Sequence, residues 1–296
     1  MDVSVILVSY NTKDLTRDCL NSIYEKTKDI EFEIFVVDNN SHDGSAEMVE
    51  KMFPQVKLIK NPENNGFGAA NNIAVRQSNA KYVFCLNTDT ILVNNAIKIL
   101  FDYMEANLNV GACGGQMFDK DMIPNNSGGH FPTVQRIFFQ FLGLNRIFKN
   151  YWNNKLAPTT INNYTEPTEV DYIIGADLMI RRSILNKVGL YDENIFLYGE
   201  ESDLCFRIKK NGNNVVFVPD SKIIHFQGKS TQNINTLKIS YESLIYWYKK
   251  NNSLFSCILL QILMCTNFLF CFIFTRNEKF YKLFITFVKK LFTNSF

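Results

Sequence analysis

Val3-Ser4-Val5-Ile6-Leu7-Val8-Ser9-Tyr10-Asn11 decides the fold class. An uncharged, largely β-branched run stops abruptly at a polar Ser-Tyr-Asn, the pattern of a buried strand that feeds a loop. Working outward, the chain alternates. Thr12 or Asp14 can cap a helix with Leu15, Cys19, Leu20, Ile23 and Tyr24 on one face. Phe32 to Val37 is a second strand that ends in Asp38-Asn39-Asn40-Ser41, and Ala46, Val49, Met52 and Phe53 share the inner face of the next helix. Val56 to Ile59 is a third strand, and Asn64 to Asn72 opens a third helix. Tyr82 to Leu86 is a fourth strand, stopping at Asn87-Thr88-Asp89. Such alternation predicts an α/β fold, a mostly parallel sheet with helices on both faces.

Asn11, Asp38, Asn39 and Asp89 all fall at the carboxyl ends of these strands. Ligands of open α/β sheets bind in the crevice beyond those ends. One Asp after one strand is commonly a turn or a helix cap; several such ends together point to a site. Gly66-Phe67-Gly68 is not a dinucleotide fingerprint, because no GxGxxG follows any strand. Small residues at a helix start serve either close backbone approach to a ligand or helix–sheet packing. Asn71 is a poor helix-interior residue unless it bonds something. Asp89 beside polar partners can hold Mg2+ or Mn2+, which take their remaining positions from water and phosphate, although one acidic residue is a weak signal on its own.

From Gly111 to Val170 periodicity fades, and Gly128-Gly129-His130-Phe131-Pro132 breaks structure. The aromatic and basic mix up to Trp152, with Arg136, Arg146 and Lys149, predicts an irregular binding loop near a membrane or an acceptor. Val170 to Ala176 resumes as a strand, Asp177 is polar among apolar neighbours, and Met179 to Arg182 leads into a helix ending near Gly189. Tyr198-Gly199-Glu200-Glu201-Ser202-Asp203-Leu204-Cys205-Phe206-Arg207 packs three carboxylates into a helix start. The dipole and free N–H groups there stabilise negative charge, so the cluster is either a solvated acidic first turn or a source of a base. Val215 to Pro219 is another strand, followed by Ile223-Ile224-His225-Phe226 and by Gly228-Lys229-Ser230-Thr231, residues that suit phosphate oxygens without matching a P-loop.

The chain has 296 residues, 46% hydrophobic and 20% charged, with a net charge of +2, so its overall charge gives no reason to expect nucleic acid. Seven scattered cysteines, none in a CxxC, and no secretory signal before the first strand predict reduced thiols in a cytosolic setting. The tail differs in character. Leu254 to Phe274 is apolar and long enough to span a bilayer. Lys249 and Lys250 precede it, and Arg276, Lys279, Lys282, Lys289 and Lys290 follow. Positive charge on both sides opposes a simple span, so residues 241–296 are expected to form a re-entrant or interfacial hairpin on the anionic inner leaflet. A hydrophobic helix closing a soluble core or a dimer interface is the alternative.

Val-Ser-Tyr-Asn at 8–11, Val-Asp-Asn-Asn-Ser-His-Asp-Gly-Ser at 37–45, Asn-x-Gly-Phe-Gly-x-Ala-Asn-Asn at 64–72 and Leu-Asn-Thr-Asp-Thr at 86–90 resemble the donor half of family 2 glycosyltransferases. Gly-Ala-Asp-Leu-Met-Ile-Arg-Arg at 175–182, Tyr-Asp-Glu at 191–193, the stretch 198–207 and His-Phe-Gln-Gly-Lys-Ser at 225–230 resemble the acceptor half. The likeness is greatest to the rhamnosyltransferase-like branch that builds bacterial surface polysaccharides. It implies a GT-A domain over 1–240, with a donor half to about residue 110, and inverting transfer from a nucleotide-diphosphate sugar to a lipid-linked or oligosaccharide acceptor. It places the nucleotide against Tyr10, Asn11, Asp38 and Asn39, with Asn65 and Asn71 near the donor. Asp89 would bind the metal, His225 would be a second ligand, and Lys229 and Ser230 would approach the phosphates. Glu201 would be the base, Glu200 its neighbour that tunes or orients it, and Asp203 a ligand of the acceptor hydroxyl, with Arg207 one turn on as its partner. Two departures stand out: Asn87 replaces the first Asp of the usual Asp-x-Asp, and Glu201 replaces Asp. They motivate the alternative of a membrane-tethered scaffold that binds sugar nucleotide or glycan without turnover.

Overall fold

The structure, a computed structural model, describes residues 1–141, 164–226 and 234–293. The expected loop residues Arg146, Lys149 and Trp152, and the expected phosphate contacts Lys229 and Ser230, lie outside the described residues. The chain forms two compact units, one within residues 1–131, 164–196 and 200–226, the other within 132–141, 197–199 and 234–293.

The first unit is built on a sheet whose first half follows the sequence pattern. Strands β1 (Val3–Ser9), β2 (Phe32–Asp38), β3 (Lys57–Lys60) and β4 (Tyr82–Asn87) are parallel, with helices α1 (Lys13–Lys26), α2 (Ser45–Met52) and α3 (Phe67–Gln77) between them. Their registers bring Ser9 opposite Asp38, and Asn87 opposite Val8, so the polar strand ends share one edge. β5 (Thr90–Leu92), α4 (Ala96–Ala106), β6 (Val110–Phe118), β7 (Gly128–Gly129), β8 (Thr168–Val170), β9 (Tyr172–Ile173), β10 (Asp177–Arg181), α6 (Arg182–Val188), α7 (Glu200–Lys210) and β11 (Asn214–His225) complete the unit. In the sheet the order is β3-β2-β1-β4-β10-β6-β11-β5, with β8 on β11 and a separate β7–β9 pair. β10 runs antiparallel to both β4 and β6, so the sheet is mixed at its centre. Buried apolar side chains cover both faces: Leu7, Leu86, Met104 and Met179 on one, Ile6, Cys85, Leu178 and Phe217 on the other.

Residues 110–118 correct the expectation of an irregular segment from Gly111: they form a nine-residue strand, all but its last residue buried. The glycines of this strand are needed by close packing. A Cβ at Gly115 would lie 2.4 Å from the Ser221 carbonyl oxygen. The strand expected over 170–176 is interrupted, and Asp177 instead begins β10. The strand expected over 215–219 runs on to His225 as one strand, β11, whose pairing with β6 shifts register between Val218 and Lys222; proline has no N–H for the ladder there.

The second unit contains α5 (Val134–Phe141), α8 (Ile234–Asn251), α9 (Leu254–Thr275) and α10 (Glu278–Thr293). α9 is capped by the Ser253 hydroxyl and ends at Arg276, whose φ of 56° lets the chain turn back into α10. Phe268 packs on Phe287 at 5.7 Å and edge-on to Tyr241 at 4.8 Å between ring centres. α9 is one helix long and apolar enough to cross a membrane, a test that the core helix of a soluble protein also passes.

Candidate active site

The carboxyl edge of the parallel strands carries a cluster of bonded loops. Asn11 sits at φ 54°, its Oδ1 accepting from the His42 backbone N–H at 2.8 Å and its own N–H donating to Ser41 Oγ at 3.0 Å. The Lys13 N–H donates to Asp43 at 2.8 Å. These bonds clamp the loop after β1 to the loop after β2. Asp38 is buried; its Oδ2 accepts from the Ser41 N–H at 3.1 Å, and its Oδ1 has no partner. A buried acceptor without a donor is costly in a folded protein, so this oxygen is suited to a ligand N–H or O–H. Tyr10, 47% exposed, stands next to Asn11 in sequence with a ring open to solvent.

Asn39 and Asn71 both bond within the protein. Asn39 is buried, donating to Asn64 Oδ1 and accepting from Asn61, each at 2.8 Å, so it supports the loop that leads into α3. Asn71 is fully buried and donates back to the Phe67 carbonyl at 2.9 Å. Asn65 is exposed on the loop between them. Its neighbour Gly66 has φ +86°, and a Cβ there would lie 2.3 Å from the Phe196 carbonyl oxygen, which instead accepts from the Phe67 N–H at 3.0 Å. Close approach of two backbones, rather than a phosphate cradle, accounts for this glycine.

β5 follows the β4 end at once, and β11 pairs with it so that His225 lies opposite Thr90. His225 Nε2 is thereby 3.2 Å from Asp89 Oδ1, both groups only partly exposed. Among the described residues no group of three or more His, Cys, Asp or Glu gathers as a metal cage. Two converging ligands at a crevice fit Mg2+ or Mn2+ only where other oxygens complete the shell, which diphosphate and water do. The neighbouring Asn87 Oδ1 is buried without a partner, and its N–H donates to the Ala176 carbonyl at 3.2 Å.

That bond brings the acidic helix to the same edge. Gly175 precedes Ala176, and a Cβ on Gly175 would lie 3.6 Å from the Glu201 Cβ; one on Gly68 would lie 3.6 Å from the Glu200 Cβ. Glu201 is half-buried, whereas Glu200 is buried. Burial, and then the charge of Glu201, push the Tyr172 hydroxyl above its usual range, which places that ring near the same carboxylate. Asp203 is 0% exposed and accepts from Arg207 Nε at 2.8 Å, while the guanidinium also donates to the Val188 and Leu190 carbonyls, each at 2.7 Å. Asp203 thus anchors α7, and the expected pairing with Arg207 is present.

Two residues carry more than their sequence context revealed. Asn72, quoted only as part of a motif, exchanges bonds with the Tyr191 backbone at 2.9 and 3.0 Å and meets Glu193 at 2.9 Å. It ties α3 to the segment before α7; the signal was a second asparagine inside an apolar helix. Asp177 is fully buried, accepting from the Gly115 N–H at 2.8 Å. Burial pushes it up to about 7, against the pull of that N–H and of His225.

The family model described as "Glycosyl transferase family 2" matches residues 4–189. A relative from Mycobacterium tuberculosis, "N-acetylglucosaminyl-diphospho-decaprenol L-rhamnosyltransferase", is 27% identical over 212 residues, 67% of each chain. "Rhamnosyltransferase WbbL" of Escherichia coli is 25% identical over 233 residues, 76% of this chain and 83% of the relative. Among solved structures, the mannosyltransferase PcManGT of Pyrobaculum calidifontis, in complex with GDP-Man and Mn2+, superposes with a TM-score of 0.61 at 15% identity, covering 99% of this chain and 88% of that one. GalNAc-T7 with UDP, GalNAc and Mn2+ gives a TM-score of 0.56 at 18% identity, over 84% of this chain and 50% of that one. With a sheet of GT-A type and a family match over more than half its length, the chain belongs to glycosyl transferase family 2 and is a glycosyltransferase.

Proposed function

We propose that the protein transfers a sugar, rhamnose by the names of its relatives, from a nucleotide-diphosphate donor to a hydroxyl of a lipid-linked glycan, with inversion, in surface polysaccharide synthesis. The carrying observation is the meeting at one sheet edge of the unpartnered Asp38 oxygen, the Asp89–His225 pair and the Glu201 carboxylate. In this reading Asp38 accepts a hydrogen bond from the nucleoside, with Tyr10 and Asn11 flanking it. Asp89 and His225 hold a divalent ion that, when bound, supplies positive charge to the leaving diphosphate. Glu201 takes the proton of the acceptor hydroxyl, whose oxygen then bonds to the anomeric carbon from the face opposite the departing diphosphate. One base on one side and the phosphate site on the other give a single displacement. The paired carboxylates of a hydrolase are not required.

The prenyl-diphosphate acceptor named for the mycobacterial relative suggests a lipid-linked substrate here. The exposed apolar residues of α9, among them Phe255, Ile262, Phe270 and Ile273, and the lysines of α10 suit the inner leaflet of a membrane. The test is a screen of nucleotide sugars with Mg2+ or Mn2+ and a prenyl-diphosphate sugar, reading nucleoside diphosphate release and product. Acceptor-dependent release with one donor supports the proposal. Nucleotide binding without turnover across the panel would favour the scaffold alternative.

A further inference from the structure

The acidic start of α7 holds two consecutive carboxyl groups in different surroundings. Glu201 is half-buried beside Gly175. Glu200 is 4% exposed, and its Oε2 meets no hydrogen-bond donor. The cations of the region are engaged elsewhere: Arg207 with Asp203, Arg76 with Glu193, and Arg182 with the Val75 and Ala80 carbonyls. Among the described neighbours of Glu200 are two uncharged groups, Gly68 of α3 and Tyr191 from the loop before α7, whose hydroxyl lies beside the Cys85 thiol of β4. Burial holds both that phenol and that thiol, and the Cys205 thiol further along α7, above their usual ranges, so none carries charge at neutral pH. One turn on from Gly68, Asn71 Oδ1 is also buried without a donor. The next residue, Glu201, is a second carboxyl whose charge acts on Glu200.

A buried carboxylate with a second carboxylate beside it, and with no cation paired to it among the described residues, is more stable with its proton on. We propose that Glu200 is a neutral, proton-bearing carboxyl in the working enzyme and acts as a positioning residue: it packs α7 against α3 and leaves Glu201 the ionised member of the pair. The proton on Glu200 removes the need for a donor to its Oε2. Burial first, and then the charge of Glu201, raise Glu200 well above the usual carboxylate range. The helix N-terminus stabilises negative charge at both positions, but only Glu201 is partly exposed to solvent. With Glu200 neutral, Glu201 escapes like-charge repulsion and stays ready to accept a proton at neutral pH. The inference rests on Glu201 as base in the proposed function, yet the protonation of Glu200 is measurable without turnover.

The direct test is carbon NMR of the full chain carrying carboxyl-labelled glutamate. One glutamate carboxyl should remain protonated from pH 6 to 8 in the wild type, and its signal should vanish in E200Q. Should E200Q fold poorly, the wild-type pH series alone reads the same quantity. In kinetics, E200A should lower kcat by about a hundredfold through misplacement of Glu201, and E200Q should rescue most of that loss with the acid limb of kcat/KM unmoved. Every glutamate ionising by pH 6 would overturn the proposal. So would E200Q being as inactive as E200A, or the acid limb of E200Q falling by about one pH unit, the shift expected when a like charge is removed from beside the base.

Discussion

Asp203→Asn separates a supporting carboxylate from one that touches substrate. Asp203 is fully buried, and its Oδ2 accepts from Arg207 Nε at 2.8 Å. Arg207 is 19% exposed at its side chain and keeps its bonds to the Val188 and Leu190 carbonyls when Asp203 becomes neutral. The asparagine preserves shape and one acceptor, so the loss is that of a charge-assisted hydrogen bond, about 1.5–3 kcal/mol. Arg207→Met is worse. It takes the guanidinium away from the buried Asp203 carboxylate and frees the Val188, Gly189 and Leu190 carbonyls, for a loss of about 3–5 kcal/mol. Urea unfolding of both variants measures the order, which should be Arg207→Met well below Asp203→Asn, itself below wild type. Nucleoside diphosphate release at a temperature where both remain folded should show Asp203→Asn with wild-type kcat and KM for acceptor. Wild-type stability together with a large rise in acceptor KM would refute this reasoning and return Asp203 to the substrate.

Asp177 predicts a pH effect on stability. Its pKa is raised from 3.8 to about 7, so between those values the native state holds one proton more than the unfolded chain. Stability is therefore full below the lower value and falls as pH rises through the window, by about 4 kcal/mol in all. Asp177→Asn does not titrate, so its denaturation midpoint should lack that slope, and the variant should gain on wild type from pH 4 to 7. Gly66→Ala sets a side chain against the Phe196 carbonyl at a φ of +86° and should lower stability by at least about 2 kcal/mol, read by thermal unfolding. Asp89→Asn should raise the Mn2+ or Mg2+ concentration for half-maximal transfer by about tenfold or more, with the fold unchanged by circular dichroism.

The first four strands and the polar ends Asn11, Asp38 and Asp89 were legible because each strand is short, apolar and ends in residues that cannot continue it. The reversal of β10 was not, since an apolar strand reads alike in either direction and only its partners fix its sense. β6 was hidden by glycines that tertiary packing requires and that local propensity counts against a strand. Within the site, residue type was readable and burial was not. Asn39, Asn71 and Asp203 have the chemistry of ligand contacts, and the structure uses all three to hold loops and helices. Asp89 and His225 are far apart in sequence and meet only because β11 folds back on β5; the resemblance suggested that pair, and no local pattern does. Glu200 and Glu201 are the same residue type in consecutive positions, and only their different burial separates them.

The central claim, that Glu201 removes the acceptor proton at a preformed nucleotide site, is tested most directly by single-turnover transfer with Glu201→Gln. Donor binding, followed by nucleotide affinity, should match wild type, and the rate of transfer should fall by about a hundredfold or more. The wild-type product should carry inverted anomeric configuration by NMR. Transfer by Glu201→Gln at the wild-type rate, or a product that retains the donor configuration, would contradict the account.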